Sequence, residues 1–269
     1  MNFDAYESFI FDLDGCLYSG DTPYPGAADL ISYLLKLEKQ VFFLSNNSTE
    51  TSEQVLGKLS RLGFQTGGTT AIVATELIGK YIYENHGLSV VSAIGSGVLE
   101  NSLRDVGHQV VALDGDRHVD FIVLGRDEAF SYHKLTVCVN RMFAGARLIT
   151  TNPDLYHPGL HGLRVPETGA LLAAISAVKG ENQVESIGKP HPYPFQTIVN
   201  LTNADRSKCI MIGDNLLTDI KGGAEFGMDT VWISHENVLP ADTRIQPDFI
   251  YASIAQFYDF LKDELHGRP

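Results

Sequence analysis

Phe9-Ile10-Phe11-Asp12-Leu13-Asp14-Gly15 is a short apolar run that breaks at once into two carboxylates and a glycine. Such a run reads as a buried strand, and the switch in polarity marks its carboxyl end. In open parallel sheets, ligands bind beyond the carboxyl ends of the strands. Two carboxylates two residues apart cannot both enter the core there without a large desolvation cost. A hard cation that takes oxygen ligands, such as Mg²⁺, is the natural neutraliser.

Working outward, the same logic returns along the chain. After the turn residues Gly20, Pro23, Pro25 and Gly26, a helical stripe runs through Ala27, Leu30, Ile31, Leu34 and Leu35. Val41-Phe42-Phe43-Leu44 is a second buried strand, ending at Ser45-Asn46-Asn47. Thr51 with Gln54 resembles a capping box, and the helix through Val55, Leu59 and Leu62 closes at Gly63. Val184-Glu185-Ser186-Ile187-Gly188 leads to Lys189-Pro190, and Cys209-Ile210-Met211-Ile212 ends at Gly213-Asp214. Thr230-Val231-Trp232-Ile233 follows a helix containing Gly222, Gly223 and Gly227. Strands alternating with helices predict an α/β fold, a Rossmann-like three-layer core on a mostly parallel sheet.

The polar strand ends are unevenly spaced. Asp12 to Ser45 is 33 residues and Lys189 to Asp214 is 25, each about one βα unit. Ser45 to Lys189 is 144 residues, far too long for one connection. Inside that span, Val90–Ile94, Val110-Val111-Ala112, Phe121–Leu124 and Leu148-Ile149 read as strands. Helical patterns lie near 98–106, over Tyr132, Leu135, Val139, Met142 and Phe143, and near 170–178. This predicts a core of residues 1–87 and 184–269 with a smaller α/β module inserted at 88–183.

Composition excludes several classes. The 269 residues are 44% hydrophobic, enough for a core, and the net charge of −13 argues against a nucleic-acid polymer as partner. No stretch approaches the roughly 18 apolar residues of a membrane helix, so no membrane partner is expected. The first seven residues hold two acids and no basic segment, and three cysteines (Cys16, Cys138, Cys209) lack metal-like spacing. Both features lead us to expect a cytoplasmic location.

With its four motifs in order, the chain resembles the haloacid dehalogenase-like phosphatases, and among them the NagD and pyridoxal phosphate phosphatase group with a large α/β cap. Asp12-Leu13-Asp14-Gly15 is similar to the first motif, Ser45-Asn46-Asn47 to the second and Lys189-Pro190 to the third. Gly213-Asp214-Asn215-Leu216-Leu217-Thr218-Asp219 is similar to the fourth, and Thr151-Asn152-Pro153-Asp154 to a cap signature. Cys16 stands where threonine is common, and Glu167 in Val165-Pro166-Glu167-Thr168-Gly169 stands where many members have glycine.

The resemblance makes the module at 88–183 a cap domain and implies a Mg²⁺-dependent phosphatase acting on small phosphorylated metabolites. Asp12 would be the nucleophile that forms an aspartyl phosphate, and Asp14 the acid and then the base. Ser45, with Asn46 and Asn47, would hold the substrate, and Lys189 would balance the phosphoryl charge. Asp12, the backbone carbonyl of Asp14, and Asp214 would bind Mg²⁺, with Asp219 either orienting a metal-bound water or capping a helix. His157, in a loop similar to that of the pyridoxal phosphate phosphatases, would read the leaving group, and the resemblance makes a homodimer possible.

Blander assignments stand beside these. Each acidic motif alone could be a turn, Cys16 a packing residue, His157 a turn residue before Pro158 and His191 a loop residue; His235 shows no sign of a partner. Two other enzymes of the fold fit less well. A dehalogenase would need neither Asp14 nor a metal carboxylate, and a phosphomutase of this fold usually carries its cap between the first two motifs, where 33 residues leave no room. The alternative outside enzymology is a non-enzymatic phosphate-accepting or binding protein, a receiver domain, which is about half this length and has no reason to carry an insertion.

Overall fold

The structure is a computed structural model and describes residues 3–158, 163–180, 184–202, 204–235, 237–241 and 243–266. From the amino end, β1 (Ser8–Phe11) leads to a hairpin of β2 (Tyr18–Ser19) and β3 (Thr22–Pro23), then α1 (Ala27–Lys36) and β4 (Gln40–Ser45). Next come α2 (Ser52–Arg61), β5 (Thr69–Val73), α3 (Ala74–His86), β6 (Val90–Ile94), α4 (Gly97–Val106) and β7 (Gln109–Val110). The middle holds β8 (Phe121–Leu124), α5 (Tyr132–Phe143), β9 (Arg147–Thr150), the hairpin strands β10 (Tyr156–Pro158) and β11 (Arg164–Pro166), and α6 (Thr168–Lys179). The chain closes with β12 (Glu185–Ser186), α7 (Pro192–Thr202), β13 (Cys209–Gly213), α8 (Lys221–Phe226), β14 (Asp229–Ile233), β15 (Phe249–Tyr251) and α9 (Ile254–His266).

These elements form two compact units. The first holds the described residues up to 45, residues 53–72, and those from 189 onward. Its six-stranded sheet has the order β15-β14-β13-β1-β4-β5, and β1 pairs in parallel with both β13 and β4. Strands covered on both faces read as continuous apolar runs, which is why Phe9-Ile10-Phe11 and Cys209–Ile212 lack alternation. The expected face of α1 is the one buried: Ala27, Leu30, Ile31 and Leu34 are fully enclosed. Removing such a leucine or isoleucine side chain from water stabilises a fold by about 1.5–3 kcal/mol.

The second unit holds residues 46–52 and 73–188. Its five strands run in the order β12-β9-β8-β6-β7, parallel throughout, over a core that includes Ile94, Ile122, Leu124, Val139 and Ile175. The fold is therefore α/β with two parallel sheets, as the alternation of patterns predicts. The unit edges differ from the expected 88–183. Helix α3, whose residues fall inside the expected core span 1–87, belongs to the second unit, where Gly79 lets α4 approach so closely that an added Cβ would lie 3.2 Å from Val106 Cγ2. At the other edge β12 pairs with β9 in the second sheet, not with the core strands. Short apolar stretches near 184–188 carry no mark of the sheet they join. Among the described residues, no helix is long and apolar enough to cross a membrane.

Candidate active site

Three strands of the first sheet deliver the site. Asp12 follows β1 and stays in register, its N–H donating to Ile212 O at 2.9 Å. Asp214 follows β13, and its backbone carbonyl accepts from the Trp232 indole N–H at 2.8 Å. Ser45 ends β4 and is buried. Lys189, only 1% exposed, reaches across these ends. Its Nζ lies 2.6 Å from Asp12 Oδ1 and 2.7 Å from Asp219 Oδ1, and donates to Leu44 O at 2.8 Å.

Glycines make the approach possible. Gly15 sits at φ +91°, a left-handed conformation that suits glycine, and a Cβ there would lie 2.4 Å from Asp214 Oδ2. At Gly213 an added Cβ would lie 2.2 Å from Asp219 Oδ2. The glycines beside both acidic motifs thus serve the carboxylates as well as the turns.

Asp12, Asp214 and Asp219 each offer a carboxylate oxygen within 4.8 Å of the other two. Lys189 pairs with Asp12 and Asp219, so one cation stands against three carboxylates. Burial first, and then Asp12 and Asp219, hold the carboxyl of Asp214 well above the ordinary range. Burial likewise raises Asp12, and it lifts Asp219 to about 6 although Lys189 pulls it down. Burial works against the charge on Lys189, but Asp12 and Asp219 overcome it and hold its amine above the usual value.

The two late acids differ in their commitments. Asp219 Oδ1 is held by Lys189, and its Oδ2 accepts from Asn215 N at 3.1 Å inside the π-helical turn Leu216–Ile220. Asp214 Oδ1 is buried with no hydrogen-bond partner among the described residues. A buried carboxylate oxygen left bare is costly, and a hard divalent cation is the ligand that suits it. The donor set thus fits Mg²⁺, with Asp214 as the uncommitted acid and Asp219 as the residue that steadies Lys189.

Asp14 is exposed, with its Oδ2 accepting from the Tyr18 hydroxyl at 3.3 Å. Cys16 is fully buried with its thiol against Ile212 O at 3.7 Å. Burial, then Asp12, Asp214 and Asp219, push that thiol well above its ordinary value, as befits a packing residue rather than a reactive one. His191 Nδ1 accepts from Tyr193 N at 3.2 Å, so it organises its loop. His235 corrects the sequence expectation of no partner. Its Nε2 bonds Gly15 O at 2.5 Å and its ring lies 5.0 Å from that of Tyr24, contacts between residues over 200 positions apart.

The remaining predicted residues lie in the second unit. Asn46 Nδ2 donates to Asp154 Oδ2 at 2.9 Å, and Asn46 O accepts from Asn152 Nδ2 at 2.8 Å. Asn47 Oδ1 accepts from the backbone N–H of Thr49 (2.7 Å) and Glu50 (2.9 Å), building a turn. His157, in β10, pairs its Nδ1 with Glu167 Oε1 at 2.7 Å, and Arg126 Nη1 stands 3.6 Å from the same oxygen. Glu167, the departure from the glycine common in the family, therefore ties the His157 ring and the Arg126 guanidinium. Sequence patterns gave no signal for Arg126, Tyr18 or Lys58, whose ammonium lies 4.2 Å over the Tyr18 ring.

A strand-end cluster of acids with one lysine, on a parallel sheet interrupted by a second α/β unit, defines a class that comparison makes specific. Residues 9–109 match the model of the haloacid dehalogenase-like hydrolases, and residues 186–257 match a HAD-hydrolase-like model. The acid sugar phosphatase of Staphylococcus epidermidis is 33% identical over 228 residues, covering 85% of this chain and 86% of that protein. Among solved structures, the 4-nitrophenylphosphatase of Thermotoga maritima superposes with a TM-score of 0.86 at 26% identity, over 96% of this chain and 98% of that one. A thermostable NPPase of Geobacillus stearothermophilus gives 0.81 at 30% identity, over 93% and 96%. The chain belongs to the haloacid dehalogenase-like hydrolases, and within them it is a NagD-like phosphatase.

Proposed function

We propose that this phosphatase hydrolyses small phosphomonoesters through an aspartyl phosphate on Asp12, with Mg²⁺ as its cofactor. The observation that carries this is the bare, buried Asp214 Oδ1 in a cluster of three carboxylates served by Lys189. Asp12, Asp214 and the backbone carbonyl of Asp14 would hold the ion. When bound, Mg²⁺ supplies positive charge to the transferring phosphoryl oxygens and offsets the excess of acids.

Asp12 attacks phosphorus in line with the leaving oxygen, and Asp14 gives that oxygen its proton. Asp14 then takes the proton of the water that cleaves the acyl phosphate. Lys189 keeps Asp12 ionised and oriented, and Ser45 donates to a phosphoryl oxygen. Relatives named acid sugar phosphatase and 4-nitrophenylphosphatase support substrates of small size. Asn46 and Asn47, next to Ser45, are assigned to substrate binding, and His157 to reading the leaving group.

Release of p-nitrophenol from p-nitrophenyl phosphate, with and without EDTA, tests the proposal. Turnover that is lost to EDTA and restored by Mg²⁺, with beryllium fluoride trapped at Asp12, is expected. Turnover indifferent to EDTA would overturn the metal assignment, and trapping elsewhere would overturn the nucleophile.

A further inference from the structure

The least accounted-for contact at the site is the one made by Tyr18. It is 2% exposed, and it lies in the small hairpin that follows the acidic motif. The backbone there is tied back on the motif, with Gly15 N donating to Tyr18 O at 2.9 Å. From that anchorage the hydroxyl donates to Asp14 Oδ2 at 3.3 Å. Lys58, half-buried on α2, stands with its Nζ 4.2 Å over the centre of the same ring. An exposed aspartate is otherwise free to rotate about two side-chain bonds. Here a buried phenol donates to its carboxyl, and a cation faces that phenol.

We infer that Tyr18 and Lys58 are positioning residues for the proton-transfer step performed by Asp14. The inference rests on the assignment of Asp14 as acid and base. When Asp14 passes its proton to the leaving alkoxide, a carboxylate appears on a group that was neutral. A hydroxyl already aimed at Oδ2 stabilises that new charge without reorganisation. A cation over the ring withdraws electron density from the phenol and strengthens its O–H as a donor. The proton that Asp14 loses to the leaving group is recovered from the hydrolytic water, so neither Tyr18 nor Lys58 changes its protonation over the cycle.

Leaving groups separate this role from a packing role. A sugar alkoxide needs the proton; p-nitrophenolate departs without it. The step read by kcat/KM is phosphoryl transfer to Asp12, so the ratio of kcat/KM for the best sugar phosphate to that for p-nitrophenyl phosphate isolates the acid. Tyr18→Phe, which keeps the ring and removes the donor, should lower this ratio about ten-fold, the effect of losing one hydrogen bond to a charged group. Lys58→Met should lower it by a smaller factor, and Lys58→Arg should restore it, since a guanidinium also sits over aromatic rings. Tyr18→Phe with an unchanged ratio, whether both rates fall equally or neither falls, would overturn the inference. A ratio unchanged in Asp14→Asn while Asp12→Asn is inactive would instead overturn the assignment of Asp14, with the covalent mechanism left standing.

Discussion

The two parallel sheets of this chain end in opposite ways. In the first, β1, β4 and β13 run out into Asp12, Ser45 and Asp214, and charge accumulates with Asp214 Oδ1 unpartnered. In the second, β6, β8 and β9 run out into Gly95, Gly125 and Thr151. There Ser48 Oγ accepts from Arg126 N at 2.9 Å, and the Thr150 and Thr151 hydroxyls donate to Leu124 O at 3.2 and 3.3 Å. An added Cβ on Gly125 would lie 3.3 Å from Ser48 Cβ, so segment 46–52 of the chain itself rests on those strand ends. Architecture offers a ligand position at both sheets. Residue chemistry gathers a cluster of three carboxylates at the first, whereas Arg126 and Asp127 after β8 pair with Glu128 and Lys134.

The hardest test of this contrast is Asp12→Asn. The amide keeps the shape and loses the nucleophile, so kcat should fall by about 10⁴-fold or more while the melting temperature stays near that of the wild type. Steady turnover in this variant, with contamination and deamidation excluded, would end the claim that the first sheet's strand ends do covalent chemistry.

Asp214→Asn should act next most strongly, through the metal. Removing a formal charge from the donor set should raise the Mg²⁺ needed for half-maximal activity by about 100-fold. The same substitution has a sign in the metal-free protein. A carboxyl raised on folding contributes stability below its ordinary range, and that contribution is lost as pH rises through the raised value. Burial raises Asp214 well above that range and Asp219 to about 6. With chelator present, the wild type should therefore melt at a lower temperature at pH 8 than at pH 5, and Asp214→Asn should flatten part of that slope. Melting curves that keep the full slope in the variant would place the titrating acid elsewhere.

The strand-end contrast also explains what could be foreseen. Asp12, Ser45, Lys189 and Asp214 were legible because each interrupts or closes an apolar run, and a polar residue in that position has few structural uses. The helices α1 and α5 were legible from stripes that include the buried positions Leu30, Ile31, Leu34, Val139 and Met142, although Tyr132 and Phe143 of the second stripe lie exposed. By contrast β5, α3 and α9 were not foreseen, and α3 falls in the unit opposite to the one its sequence position suggested. Its assignment depends on packing against α4, which no local pattern records. The role of Asp219 was likewise hidden, because only the fold brings it within 2.7 Å of Lys189, thirty positions earlier. Contacts such as Lys58 with Tyr18 and His235 with Gly15 join residues far apart in sequence whose types are common on any surface.

A smaller effect is expected from His157, on the hairpin strand β10 of the second unit. Glu167 holds its Nδ1 at 2.7 Å, which orients the ring. If His157 discriminates among substrates, His157→Ala should lower kcat/KM about ten-fold more for the best natural ester than for p-nitrophenyl phosphate, which lacks the leaving-group contacts. An equal change for both would leave His157 as a partner of Glu167 and nothing more, and would widen the contrast between the two sheets.

The smallest effect should come from Ser48, and it tests the quiet side of the comparison. Ser48 is 2% exposed and its hydroxyl is the acceptor for the Arg126 N–H. Ser48→Ala leaves that donor without its acceptor beside a closely packed glycine, a loss of about 1 kcal/mol. For a chain of this size that corresponds to a fall of roughly 2–4 °C in melting temperature. Because the hydroxyl serves packing and not phosphate, kcat and the Mg²⁺ requirement should stay within about two-fold of wild type, a change of under half a kcal/mol. A ten-fold loss of kcat with an unchanged melting temperature would reverse the assignment. Segment 46–52 would then act on the chemistry directly, and the second sheet's strand ends could no longer be called structural.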